Sequence, residues 1–162
     1  MLAGGYRLVD WRDSPGAVDG ETLVNIAAVG TVIPEAVEAA AALAREGIAA
    51  NVLNITSAGR LFAELSASRR SGLRDGRGGG DSGHLGRLIP REERAAPIVT
   101  VLDGSSHTLA FLGSAFGAPV VPLGVDAMGQ SGTMADLYRE YGLDADHIVN
   151  AALMALDFPS KG

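Results

Sequence analysis

The sequence predicts a three-layer α/β sandwich, a mostly parallel twisted sheet with helices on both faces. Three observations predict it. Short apolar runs alternate with helix-period segments along the chain. The runs are continuously apolar, as strands covered on both faces must be. The first two runs are joined by one helix with almost no linker, the pattern of a parallel crossover.

Residues 1–20 mix Gly4, Gly5, Pro15, Gly16 and Gly20 with Tyr6 and Trp11 and read as an extended lead-in lying on apolar surface, leaving 21–162 as a single domain. The run TLVNIAAV at 22–29, flanked by Gly20 and Gly30, reads as a buried strand. A helix follows, with Thr31 as cap, Pro34 and Glu35 in its first turn and Gly47 as its stop. Ile33, Val37, Ala40 and Ala44 share its expected buried face, while Glu35, Glu38 and Arg45 lie on another. IAANVLNIT at 48–56 is the next strand. Leu61, Phe62 and Leu65 then recur at helical spacing, until the pattern dissolves in SRRSGLRDGRGGGDSG, which reads as a loop.

PIVTVLD at 97–103 is a further strand, HTLAFLGSAFG a short helix ending at Gly117, and PVVPLGV a strand whose Pro122 puts it at an edge or end. TMADLYREYG is a helix with capping-box spacing from Thr133 to Asp136 and Gly142 as stop. Asp144 caps a closing helix that carries Ile148, Ala152, Leu153 and Leu156.

Composition excludes several chemistries. With no cysteine, disulfides, thiolate metal sites and Cys nucleophiles are out. Thirteen basic against nineteen acidic residues give a net charge of -6, so the bulk field attracts neither nucleic acid nor an anionic membrane. No apolar run approaches the length of about 18 residues that spans a bilayer, and the amino terminus lacks a signal-type apolar stretch, so a cytoplasmic location is expected. The charge is uneven: residues 69–94 hold seven basic and four acidic groups, the rest six and fifteen. A solvated segment is the default reading of that stretch, and docking on an acidic partner the other.

In open α/β sheets ligands meet the loops beyond the carboxyl ends of the strands. The loop after the first long strand has one glycine, so it lacks both the GxGxxG and the GxxxxGK[ST] phosphate-binding patterns. LDGSSHTLAF places Asp103, Ser105, Ser106 and His107 between a buried strand and a helix, and invites a hydrolase or small-molecule binding reading. A Ser–His–Asp line must be hydrogen-bonded in space, however, and no GxSxG elbow is present, so Asp103 and Ser106 are also simple turn and cap residues. His107 is either a half-exposed histidine at a helix start or a polar contact and proton donor toward a partner. VDAMGQSGTMADLY adds Asp126, Gln130 and Ser131 in a polar loop that could contact a ligand or a neighbouring domain. His84 and His147 stand in no metal-binding spacing.

The carboxyl half, VTVLDGSSHTLAFLGSAFGAPVVPLGVDAMGQSGTMADLYREYGLDADHIVNAAL, resembles the C-terminal domain of the transketolase-like thiamine diphosphate enzymes, most nearly the homodimeric first component of 2-oxo-acid dehydrogenases of the pyruvate dehydrogenase type. The resemblance rests on the strand ending near Asp103, the G-Q-S loop before LYREYG and the closing DADHIVNAAL. LAGGYRL and HLGRLIPREERAAPIVTV extend it over nearly the whole chain. It implies a five-stranded sheet with one antiparallel strand. It also implies a noncatalytic domain, in an enzyme whose other domains hold thiamine diphosphate and Mg2+ and supply most catalytic residues. No cofactor or metal is expected in this chain. The implied roles are homodimer contacts, shaping of a substrate entrance, and docking of a partner acyltransferase. The parent reaction would decarboxylate a 2-oxo acid and pass the acyl group to lipoamide.

Overall fold

The computed structural model describes residues 3–15, 19–78, 83–127 and 132–158. Five strands form one sheet: β1 (Gly5–Val9), β2 (Leu23–Val29), β3 (Ala49–Ile55), β4 (Ile98–Leu102) and β5 (Val120–Leu123), in the order β1-β3-β2-β4-β5. β2, β3, β4 and β5 run parallel, and β1 pairs antiparallel with β3. The mixed five-stranded sheet is therefore as the resemblance implied. The lead-in reading is corrected for residues 5–9, which are an edge strand. Its short, glycine-led sequence lacks the apolar run of the central strands because only one edge is paired and Tyr6 and Leu8 face solvent. The register slips between Arg7 and Val9, a bulge that bends this edge away from further pairing.

The helices are α1 (Ile33–Arg45), α2 (Ala58–Asp75), α3 (Gly83–Leu88), α4 (Phe111–Phe116), α5 (Met134–Glu140) and α6 (Ala145–Leu156). Alternation along the strands divides two cores. Val24, Ile26, Ala28, Val52 and Val99 face α1, α5 and α6. Ala27, Leu53, Ile55 and Ile98 face α2, α3 and α4. No helix among the described residues is long and apolar enough to cross a membrane.

Three local expectations shift. Thr31 does not cap α1: a 3-10 turn over Gly30–Val32 feeds the helix directly, and its cap residue Val32 makes no side-chain bond. The buried stripe of α1 is Ala36, Ala39, Ala40 and Leu43, rotated from the expected one so that Val37 is exposed. On α6, Ala151 and Ala155 are buried beside Ile148 and Ala152, and Leu153 is exposed. The expected loop after residue 67 is helix as far as Asp75, where Gly76 closes α2 in the left-handed conformation at φ 61°. Its polarity reads as loop because the last turns bury no side chain: Leu61 and Leu65 are the helix's only buried residues. Thr133 and Asp144 cap α5 and α6 as expected.

Candidate functional site

The connection after β2 leads to β3 on one side, whereas β4 lies on the other, so the topological switch point falls between the carboxyl ends of β2 and β4. The loop after β4 carries Asp103, Ser105, Ser106 and His107, and the loop after β5 carries Asp126. These two loops are sewn together. Val125 N–H donates to Gly104 O at 2.7 Å, and Ser106 N–H donates to Asp126 Oδ1 at 2.9 Å. Gly124 permits this approach: a Cβ there would stand 2.5 Å from Gly104 O and 2.6 Å from Ser106 N. Bonds from the Ser106 hydroxyl and then its backbone N–H hold the Asp126 carboxyl below the usual carboxylate range, with smaller help from Ser105 and His107.

The structure brings Ser105, His107 and Asp126 together and leaves Asp103 outside. Ser105 Oγ lies 2.7 Å from His107 Nδ1 and 3.4 Å from Asp126 Oδ1. The serine is thus the middle member, with the carboxylate on the hydroxyl and not on the imidazole. A nucleophilic triad needs the carboxylate to orient the histidine from its far nitrogen. The Ser106 N–H, a natural oxyanion donor by position, is already occupied by Asp126. The geometry is that of a polar loop clasp. Asp103 is exposed at the end of β4 and makes no hydrogen bond to His107. Gln130 and Ser131 lie outside the described residues.

A second polar cluster, at the amino ends of the strands, was not anticipated from the sequence. Glu93 is 2% exposed, and its carboxylate accepts from Arg7 (Nη2 at 2.5 Å, Nη1 at 3.2 Å), Arg12 Nη1 (3.2 Å) and Asn51 Nδ2 (3.2 Å). Asn51 and Asn25 are register partners on β3 and β2; Asn51 donates to Asn25 Oδ1 at 2.9 Å, and Asn25 donates to Glu93 O. Trp11 N–H closes the cluster on Asn51 Oδ1. Two arginines balance Glu93 and Asp10, so the buried charge is compensated. The available signal was the pair of asparagines inside otherwise apolar strands, since a buried amide needs partners. This cluster fastens β1 and the turn over Trp11–Asp13 to the sheet.

A cavity at the switch end is about 100 Å³, lined by Asp103, Val125, Met134, Leu137, Tyr138 and Tyr141 among others, where small-molecule sites occupy about 300–1,000 Å³. Among the described residues no three His, Asp or Glu side chains come together as a metal site. Larger hollows lie elsewhere: about 810 Å³ beside Arg91, Pro97, Phe116 and Phe158, and about 520 Å³ between Leu8, Asp13, Val37 and Ala41.

Comparison with known proteins gives the family. Residues 4–144 match the model described as the transketolase-like TK C-terminal domain. Transketolase from Campylobacter jejuni subsp. jejuni NCTC 11168 shares the fold with a TM-score of 0.63 at 20% identity, over 94% of this chain and 18% of that one. Transketolase from Leishmania mexicana gives 0.60 at 21% identity, over 98% and 19%. A split-gene transketolase, described as an inactive beta4 tetramer, gives 0.58 at 28% identity, over 96% and 43%. No curated protein sequence matches significantly. The chain therefore spans about a fifth of these two transketolase chains and less than half of the split-gene chain. With the family model covering most of its length, and with the strand order and the antiparallel edge in place, the chain belongs to the transketolase-like C-terminal domain family.

Proposed function

We propose that this chain works as the noncatalytic C-terminal domain of a thiamine diphosphate dependent enzyme, with cofactor and Mg2+ held by other domains. The observation that carries the reading is the family match over residues 4–144 in a domain whose switch-point loops are tied shut. The solved relatives are five times this chain's length or more than twice it, which supports other domains as its partners. Its own residues offer surfaces. The clasped loops leave His107 and Asp126 exposed at the carboxyl end of the sheet, which supports a role for them in lining an entrance between domains. The resemblance of the G-Q-S segment and the closing DADHIVNAAL to the homodimeric 2-oxo-acid dehydrogenase first component is what supports a 2-oxo acid, such as pyruvate, as the parent substrate, with homodimer assembly and acyltransferase docking as its corollaries.

The test is co-purification of the chain with polypeptides from the same genome that carry the diphosphate and aminopyrimidine domains. A stable complex with 2-oxo-acid decarboxylating activity supports the whole reading. A complex that transfers two-carbon units between sugar phosphates retains the domain role and overturns the 2-oxo acid. No complex with either type overturns both. The hydrolase reading is tested by a serine-reactive probe on the native chain; labelling of Ser105 that is lost in His107→Ala would restore it against the geometry above.

A further inference from the structure

Beyond Leu65 no residue of α2 is buried, yet the helix continues for ten residues to Asp75, through Ser68, Ser71 and Gly72, which are poor helix formers. Arg69 Nη2 donates to Ser114 O at 2.5 Å and ties the base of this projection to α4. The outer turns present Arg70, Leu73 and Arg74, and Arg77 follows the Gly76 stop; all four are exposed. Leu73, at 83%, is the most exposed large apolar residue described. Among the described residues no carboxylate pairs with Arg70, Arg74 or Arg77. Glu64, an acid of the same helix, has both carboxylate oxygens on the His84 N–H. Arg70 and Arg74 stand one turn apart, where like charges repel. The helix dipole accounts for Arg74 in the last turn, but for neither Arg70, a turn earlier, nor the apolar side chain between them.

Two open hollows of about 510 Å³ and about 600 Å³ flank Leu73. The first is lined by Arg69, Arg77 and three glycines, the second by Ala67, Arg70 and Arg74. Among the described residues no acid lines either. We propose that the outer end of α2 is a docking site for an acidic polypeptide segment of a partner protein, its carboxylates paired to Arg70, Arg74 and Arg77 and an apolar side chain seated on Leu73. Guanidinium groups suit this role because their paired donors match a carboxylate. The charge complementarity is local: residues 69–94 hold seven basic and four acidic groups, whereas the whole chain carries -6. A long polyanion or an anionic bilayer would meet that repelling background beyond the patch, and a short acidic segment stays within it. A phosphate backbone has no use for Leu73, and no aromatic residue lies between the arginines of 69–77 for a base to stack on. The surface is defined by this chain's own charge and exposure, independently of the parent reaction, and each copy in a homodimer would carry one such site.

The test is fluorescence anisotropy of a labelled peptide in which glutamate pairs flank leucines, titrated with the intact chain at about 50 mM and about 500 mM salt, since exposed charge pairs weaken as the screening length shrinks. The expected result is saturable binding at low salt that high salt weakens. Arg70→Glu/Arg74→Glu should weaken it by about tenfold or more. Arg70→Gln/Arg74→Gln, which keeps good helix formers at both positions, should weaken it in the same direction and separates lost charge from an unwound helix end. Leu73→Ser should weaken it by about fivefold, and a peptide with serine in place of leucine should bind the native chain equally poorly. Arg45→Glu/Arg139→Glu, the same change of charge at exposed positions on α1 and α5, should leave the affinity unchanged. No saturable binding at low salt overturns the proposal, as does binding that survives both arginine variants, equal affinity for the leucine and serine peptides, or an equal loss in the Arg45 and Arg139 variant. Binding of polyuridylate or of phosphatidylserine vesicles without binding of the peptide would assign the patch to a polyanion and overturn it. Dissociation of a homodimer by Arg70→Gln/Arg74→Gln in sedimentation would assign the patch to a second copy of the chain and overturn it as well.

Discussion

Replacing Glu93 by Gln tests whether the amino-end cluster fastens the edge strand to the sheet. The carboxylate is 2% exposed and holds both terminal nitrogens of Arg7, whose side chain is 19% exposed. Glutamine keeps one acceptor for Arg7 but turns an amide N–H₂ toward a donor, either Arg12 Nη1 or Asn51 Nδ2, and removes the charge. A hydrogen bond to a charged group contributes about 1.5–3 kcal/mol, and breaking a buried pair costs about 3–5 kcal/mol. The Arg12 contact is discounted to under about 1 kcal/mol because that side chain is 47% exposed. The expected loss is about 3 kcal/mol. Trp11, the only tryptophan, sits in the cluster with its indole N–H buried, and its fluorescence reports the transition. With a urea slope of about 2 kcal/mol/M the midpoint should fall by about 1.5 M. The exposed neighbour Glu92→Gln should change it by less than about 0.5 kcal/mol. A loss below about 1 kcal/mol for Glu93→Gln, or equal losses for the two variants, would refute the reasoning.

Gly124→Ala should cost about 1–3 kcal/mol, because the added Cβ meets the Gly104–Ser106 backbone. The Val125 amide, which donates to Gly104 O, should exchange with solvent faster; unchanged exchange would contradict the clasp. Asp144 is a cap whose burial alone would raise its pKa, but bonds from the His147 side chain and backbone outweigh that and hold it below its ordinary value. A depressed carboxyl stabilises the fold above its unfolded pKa of about 3.9, and that contribution is lost as pH falls through the lower folded value. The stability gap between the native chain and Asp144→Asn should therefore be present at neutral pH and narrow as the pH falls below the unfolded value, as followed by urea unfolding across pH. A gap independent of pH would contradict the assignment.

The parallel core was legible because its strands are covered on both faces, and short apolar runs such as 22–29 and 97–103 fit strands buried in that way. Caps at Thr133 and Asp144 were legible because capping is local chemistry. β1 was not, since an edge strand needs neither a long apolar run nor full pairing, and its place depends on Glu93, some eighty residues away. The outer half of α2 was hidden for the opposite reason: helix without packing has the composition of a loop. Among the candidate residues, Ser106, His107 and Asp126 do meet at one end of the sheet, joined by Ser105. Which carboxylate would join them was invisible, because Asp103 is near in sequence whereas Asp126 arrives through the pairing of β4 with β5.

Calorimetric titration of the chain with thiamine diphosphate and Mg2+ tests the central claim most directly, that this domain serves an enzyme whose cofactor sits elsewhere. No saturable heat is predicted up to about 1 mM ligand, the range in which a dissociation constant corresponds to about 4 kcal/mol. Stoichiometric binding with a micromolar constant would contradict the claim and require a cofactor site within this chain.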